Sequence, residues 1–342
     1  MKILIIGGTK FLGRHLIKAA QAKNHEVTIF NRGKFSNEVF ANVEQIRGDR
    51  NFDLEKLTNR TWDAVIDTCG YLPQNVKASA EFLQDAVGQY VFISSISVYA
   101  DFSQPNFDET APLAKLTAEQ EKEFAEIDPK GELNGIILGE IYGALKVLCE
   151  TEIESTFGER FLNIRPGLIV GEYDWTDRFS YWVMRIAKGS EVLAPANPNL
   201  FIQFIDAQDL SEWTIKIIEN KEVGTFNATG KPFELRFGTF LEEIKSATNS
   251  DAEFTWVSEE FLTEEKVAPW SEMPLYLPES DKSWAGFLSA NVDKAVEKGL
   301  SFQPIHETIL KTLNWRKTID DELKAGISTE REAELLRKWK KR

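Results

Sequence analysis

Apolar positions along the chain alternate between short uninterrupted runs and longer stretches with helical periodicity. Ile3, Leu4, Ile5 and Ile6 form a run long enough for one buried strand and too short for a helix. It breaks at Gly7-Gly8-Thr9, after which Phe11, Leu12, Leu16, Ile17 and Ala20 recur at the helical period. The pattern then repeats. It predicts strands at 25–30, 43–47, 62–68 and 90–95, with a helix at 74–87. Strands separated by helix-length segments imply right-handed crossovers and a parallel, doubly wound α/β sheet.

The character changes between Asp101 and Leu133. A Glu-rich helix at 118–127 is announced by a capping box of Thr117 and Gln120 and stops before Asp128-Pro129. The segment reads equally as a lid over a site or as a solvated insertion. Helical periodicity resumes from Ile136 to Ser155. A strand at 161–166 follows, then an aromatic stretch with Tyr173, Trp175, Phe179, Tyr181 and Trp182. Residues 201–205 read as a strand, 208–219 as a helix with Asp209 as its cap, and 225–230 as a last strand with its exit turn. From 239 to 304, helices alternate with loops containing Pro and Trp, as expected of a smaller lobe.

Composition narrows the classes. A chain of 342 residues, 42% hydrophobic and 27% charged, has the make-up of a soluble globular protein. Its net charge of −14 predicts repulsion of nucleic acid and of anionic membranes. The basic tail Arg337–Arg342 reads as charge placed at a helix C-terminus. Cys69 and Cys149 form no C-x-x-C, and His15, His25 and His306 are far apart, so no metal site is expected. No leader and no membrane-length apolar run is apparent, which makes the cytoplasm the default.

Two features carry chemistry. The strand–glycine turn–helix at the start offers unpaired N–H groups to a pyrophosphate; Gly7 permits the turn and Gly13 the close packing of helix on strand. The strand ending at Phe30 leads into Asn31-Arg32, with no acid to hold a ribose 2′-hydroxyl, which favours NADP over NAD. Second, among seven tyrosines only Tyr142 has a lysine four residues on, Lys146, on one face of a helix. An ammonium beside a phenol lowers its pKa and suits it to proton transfer. Ser95, with Ser97 second, lies in a run where a hydroxyl can polarise a carbonyl.

These motifs, GGTKFLG at 7–13, SSISVYA at 94–100, YGALK at 142–146 and RPGLIVG at 165–171, resemble the extended short-chain dehydrogenase/reductase superfamily, in its NAD-dependent epimerase/dehydratase group. The resemblance reaches to about Trp315, through SANVDKAVEKGLSFQP at 289–304. It implies a Rossmann domain at 1–170 with returning segments at about 200–230. A mixed α/β substrate lobe would occupy 171–199 and 231–315, and a helical tail 316–342. It implies Ser95, Tyr142 and Lys146 as the catalytic triad. It also implies a cofactor site of Gly7, Thr9, Phe11, Leu12, Gly13, Asn31, Arg32, Asp49 and Arg50, with the backbone of Pro166, Gly167 and Leu168. A homodimer is expected on the same basis.

Three departures stand out. Lys10 replaces the usual middle glycine, where its side chain can reach the cofactor phosphates. Ile96 and Ser97 replace the acidic pair of sugar-nucleotide dehydratases. Gly167-Leu168-Ile169 lacks the asparagine common in nucleotide-sugar epimerases. Trp175, Arg178 and Trp182 are candidates for a substrate wall, against the alternative that the aromatics pack the small lobe. The expected function is NAD(P)-dependent reduction or oxidation of a small-molecule carbonyl or alcohol. Redox-neutral epimerisation with a retained cofactor is the alternative. A non-catalytic NADP-binding regulator or RNA-associated protein, like the plastid stem-loop-binding proteins with a similar turn, is the reading from another class.

Overall fold

Ile3, Leu4, Ile5 and Ile6 are at most 1% exposed because strand β1 (Lys2–Ile6) runs through the middle of a seven-stranded sheet. The structure, a computed structural model, describes residues 1–34, 40 and 43–342. The other strands are β2 (Glu26–Asn31), β3 (Glu44–Arg47), β4 (Trp62–Asp67), β5 (Val87–Ile93), β6 (Phe161–Pro166) and β7 (Gly224–Ala228). Their order is β7-β6-β5-β4-β1-β2-β3 and every pairing is parallel. A parallel sheet is covered on both faces, which is why its strands read as unbroken apolar runs.

The period of two divides each strand between two cores. Ile3, Ile5, Ile66, Val91 and Ile164 join a layer closed by Leu16 and Ile17 of helix α1 (Leu12–Ala22) and by Leu210 and Trp213 of a later helix. Leu4, Ile6, Val65, Tyr90 and Phe92 face the opposite layer, closed by Val76 and Leu83 of α2 (Pro73–Leu83) and Ile153 of α3 (Tyr142–Phe157). Each fully buried aliphatic contributes about 1.5–3 kcal/mol, so β1 alone outweighs the roughly 1 kcal/mol entropic cost of each glycine in the turn behind it. A third core joins α4 (Arg178–Ala187) to the later chain through Phe179, Trp182, Phe237 and Phe240.

Several boundaries differ from expectation. The helix expected from Ile136 is broken: a short turn at Gly135–Leu138 and a 3-10 turn at Gly139–Ile141 precede α3, because Gly139 adopts φ +51°. The expected 201–205 strand divides into Phe201–Ile202, antiparallel to Leu235–Arg236, and Ile205–Asp206, parallel to Ile169–Val170. The helix that follows, α5 (Ala207–Glu219), is capped by Asp206, whose carboxylate accepts from the Gln208 N–H at 2.6 Å; Asp209 instead accepts from the Gln303 N–H. The Thr117–Gln120 capping box is formed, on a helix at Ala118–Ala125 that buries nothing. Among the described residues no helix is long and apolar enough to cross a membrane.

Candidate active site

Sheet order reverses between β1 and β4, and the crevice at such a switch point, beyond the carboxyl ends of the strands, is where doubly wound folds bind ligands. Here β1 ends in Gly7 (φ +94°) and Gly8 (φ +87°). A Cβ on Gly7 would sit 2.6 Å from Thr68 Oγ1, and one on Gly13 would sit 2.2 Å from Gly8 Cα. Gly13 therefore lets α1 press against the glycine turn itself, rather than against the strand as the sequence suggested. No side chain caps α1 and its first turn holds no acid. Phe11, Leu12 and Gly13 line the cleft at this end, where the first helical N–H groups await an acceptor.

The cleft, about 470 Å³, runs from this turn to Ser95, Tyr142 and Lys146. Gly7, Thr9, Lys10, Asn31, Arg32, Asp49, Arg50, Pro166 and Gly167 all line it. Several of these side chains are already engaged. Asn31 donates to the Gly7 carbonyl at 3.1 Å and accepts from the Gly33 N–H at 2.8 Å, so its amide holds the turn and β2 together. Arg50 forms a two-pronged pair with Asp67 at 3.0 and 2.8 Å, and Tyr90 donates to the same buried carboxylate. Arg32 is exposed at the rim.

At the far end, Gly143 decides the geometry. A Cβ there would meet the Ser97 carbonyl oxygen at 2.0 Å, so only glycine lets α3 rest on the 3-10 turn Ile96–Val98. Ser95 caps that turn, accepting from the Ser97 N–H and donating to Ser97 Oγ, both at 3.0 Å. Ser97 thus holds Ser95 and does not itself line the cleft. Burial pushes the Tyr142 phenol up to about 12, with Ser95 pulling the other way. The ammonium of Lys146 donates to the Ile93 and Gly70 carbonyls at 2.7 and 2.9 Å and lies 6.0 Å from the Tyr142 ring centroid. The net shift is therefore upward rather than the lowering expected from Lys146: burial of the phenol dominates, and the ammonium donates to backbone carbonyls.

The 101–133 insertion ends as a lid. Pro129, Glu132, Leu133 and Asn134 line the cleft. Asn75 and Asn51 donate to the Pro129 carbonyl at 2.9 and 3.3 Å, and Lys34 pairs with Glu132 across the mouth. A Cβ on Gly135 would touch the Tyr142 ring at 3.3 Å, so the lid lies on the phenol face.

The expected substrate wall is largely displaced. Trp175 does line the cleft. Trp182 does not: it is fully buried and donates to the Pro274 carbonyl at 2.8 Å, because the amphipathic face of α4 turns it into the small-lobe core. Arg178 lies over the Trp270 ring at 5.6 Å, and Leu168 packs against the same small-lobe core. Tyr71, which the sequence did not single out, lines the cleft, as do Cys69 and Ser94. Burial pushes the Cys69 thiol up to about 11, which keeps it protonated. Ser94 Oγ is buried without a partner among the described residues, an orphaned hydroxyl suited to a bound ligand. Among those residues, no group of three or more His, Cys, Asp or Glu is arranged for a metal ion.

The model of the NAD dependent epimerase/dehydratase family matches residues 3–228, about two thirds of the chain. The chain belongs to that family. Its members are enzymes named for NAD, and the glycine cradle, the uncapped helix and the orphaned Ser94 hydroxyl fit a dinucleotide. A curated relative, the chloroplast stem-loop binding protein of 41 kDa b from Arabidopsis thaliana, is 26% identical over 251 residues, covering 68% of this chain and 59% of that protein. The chain thus spans about three fifths of the relative's length. Among solved structures, the UDP-N-acetylglucosamine 4-epimerase from Bacillus cereus has the same fold, with 17% identity, 94% of this chain and 98% of that chain covered, and TM-score 0.64. The Bordetella bronchiseptica enzyme WbmH in complex with NAD+ also shares it, with 13% identity, 92% and 98% coverage, and TM-score 0.64.

Proposed function

We propose that this chain binds NAD(P) in the cleft and moves a hydride between it and the carbonyl or carbinol carbon of a small molecule. One observation carries the reading: a single cleft joins the glycine turn to the Ser95, Tyr142 and Lys146 cluster. The turn and the start of α1 would hold the pyrophosphate. Bound NAD(P) supplies the hydride donor or acceptor. Tyr142, protonated at neutral pH, donates to the developing alkoxide in reduction, and Ser95 polarises the carbonyl. Lys146 uses two of its three hydrogens on backbone, leaving one for a ribose hydroxyl.

The preferred cofactor in this reading is NADP, supported by Arg32 at the rim and the missing acid after Phe30. Redox-neutral epimerisation with a retained cofactor is the alternative that the family favours. Release of a reduced or oxidised product with stoichiometric NAD(P)H change separates the two. Dimerisation through α3 belongs to the same proposal, with Leu148 on that helix 38% exposed.

The stem-loop binding named for the relative draws less support, because three of the five tail cations are engaged in ion pairs: Lys338 with Glu265 and Glu334, Lys340 with Glu191, and Arg342 with Glu264.

Tyr142→Phe tests the assignment. It is expected to cost at least about 10²–10⁴-fold in turnover while leaving NADPH affinity within about twofold. Turnover retained in that variant removes Tyr142 from the chemistry.

A further inference from the structure

Lys10, in place of the middle glycine, reaches out of the turn: its ammonium lies 3.8 Å from the Trp175 ring centroid. The contact bridges the cleft, from the β1–α1 turn on one side to the loop before α4 on the other. On the same indole rests a second cation, Lys324, at 5.4 Å. Lys324 belongs to the C-terminal segment, outside the part of the chain that matches the family model.

Both sides of this contact are held from below. Asp177 accepts from Arg316 Nε at 3.2 Å with one oxygen and from the Lys324 N–H at 3.1 Å with the other. The Arg316 guanidinium also donates to the Ile319 and Asp321 carbonyls, which folds residues 319–324 back on the Trp175 loop. The Arg316–Asp177 pair is nearly fully buried. On the other side of the loop, His15 of α1 contacts the Glu172 carbonyl at 3.0 Å, and the guanidinium of Arg14 lies over the Tyr173 ring at 4.6 Å. The indole is therefore fixed between the phosphate turn and the tail, and two ammonium groups share it, near enough for Lys324 to act on Lys10. Burial and Lys324 together hold the Lys10 ammonium below its ordinary pKa. Two like charges gathered at one end of a phosphate-binding turn are relieved by an anion bound near both.

We propose that Lys10, Trp175 and Lys324 form a cationic strap that closes over the pyrophosphate of the bound dinucleotide, with the C-terminal segment supplying its outer charge. The proposal rests on the cofactor reading above. It assigns the tail a part in binding: Arg316 and Asp177 position the strap, and Lys324 and Lys10 touch the ligand. Contacts made only in the complex act mainly on the release rate, so that is where the strap is read out.

Stopped-flow tryptophan fluorescence with NADPH and ADP-ribose on the full-length protein tests this, comparing wild type, Lys10→Met and Lys324→Met. Lys324 is exposed, so its replacement leaves the fold intact, and thermal denaturation checks that. Each substitution is expected to speed release of both ligands by about tenfold, the loss of one charge-assisted contact, and to weaken the salt dependence of affinity. Adenosine, which lacks phosphate, is expected to bind all three proteins alike. Release at the wild-type rate from both variants overturns the strap while leaving the cofactor reading standing. UDP losing affinity in the variants while ADP-ribose does not assigns the two cations to a substrate diphosphate and overturns the proposal. Failure of wild type to bind NAD+, NADPH or ADP-ribose sinks the cofactor reading itself, and the strap with it.

Discussion

Asp174, next to Trp175, is 1% exposed and spends one oxygen on the Thr176 N–H and hydroxyl, at 2.9 and 2.7 Å. Its other oxygen has no partner among the described residues. Burial pushes its carboxyl up to about 6, helped by Asp177 and opposed by the turn's hydrogen bonds and Arg178. The folded state then keeps a proton that the unfolded chain has lost above its ordinary carboxylate pKa. Stability from this group is complete below about pH 4 and falls as pH rises through about 6. Asp174→Asn keeps the turn's acceptor and removes the titration. Urea denaturation is expected to show it matching wild type at pH 4 and exceeding it at pH 8, by on the order of 2 kcal/mol. Asp209, pushed up to about 6 mainly by burial, titrates in the same window, so the variant flattens only part of the slope. A variant less stable than wild type at pH 8 contradicts the argument.

At the scale of elements, α3 shows how the sequence was both clear and misleading. Its Tyr142 and Lys146 stand on one helix next to the Ser95 turn, and the strands and the glycine turn that frame them follow from apolar runs alone. Periodicity could not locate the break at Gly139, since Ile136 and Ile137 keep the pattern while lying about 60% exposed. Nor could it show that Lys146 would reach the Ile93 and Gly70 carbonyls, two contacts distant in sequence. The same limit applies to Trp182: an aromatic stripe reads alike whether it walls a cleft or fills a core. Gly143 was the one signal left unused. Gly→Ala within a helix ordinarily stabilises by about 1 kcal/mol, but a Cβ here meets a carbonyl oxygen that cannot turn aside. Gly143→Ala is therefore expected to lower stability by about 1–3 kcal/mol in chemical denaturation, and to cost turnover beyond that, because Tyr142 is pushed away from Ser95. A more stable protein with normal turnover shows that α3 has room to spare.

Across the whole molecule, a net charge of −14 coexists with a cleft lined, among the described residues, by Lys10, Arg32, Lys34, Lys146 and the Asp67-paired Arg50, against Asp49 and Glu132. Such a cleft concentrates anionic ligands in spite of the surrounding field, and the effect weakens with salt. The lid modifies it where cofactors differ. NADP carries an additional phosphate at the adenosine ribose, and the cations beside the end of β2 include Arg32, Lys34 and Arg47, whose side chain packs against Gly33. Lys34 is paired with Glu132, so the lid brings a carboxylate into the region where that phosphate would bind. Binding NADPH then requires the pair to part and leaves Glu132 facing like charge, whereas NADH makes no such demand. Glu132→Gln removes the competitor and spares the rest of the lid, which is held by Asn75 and Asn51 at Pro129. Fluorescence titration is expected to show NADPH binding several-fold more tightly in this variant, with NADH little changed. Equal gains for both cofactors place the effect in lid opening instead. An unchanged NADPH affinity shows that the Lys34–Glu132 pair takes no part in receiving the phosphate.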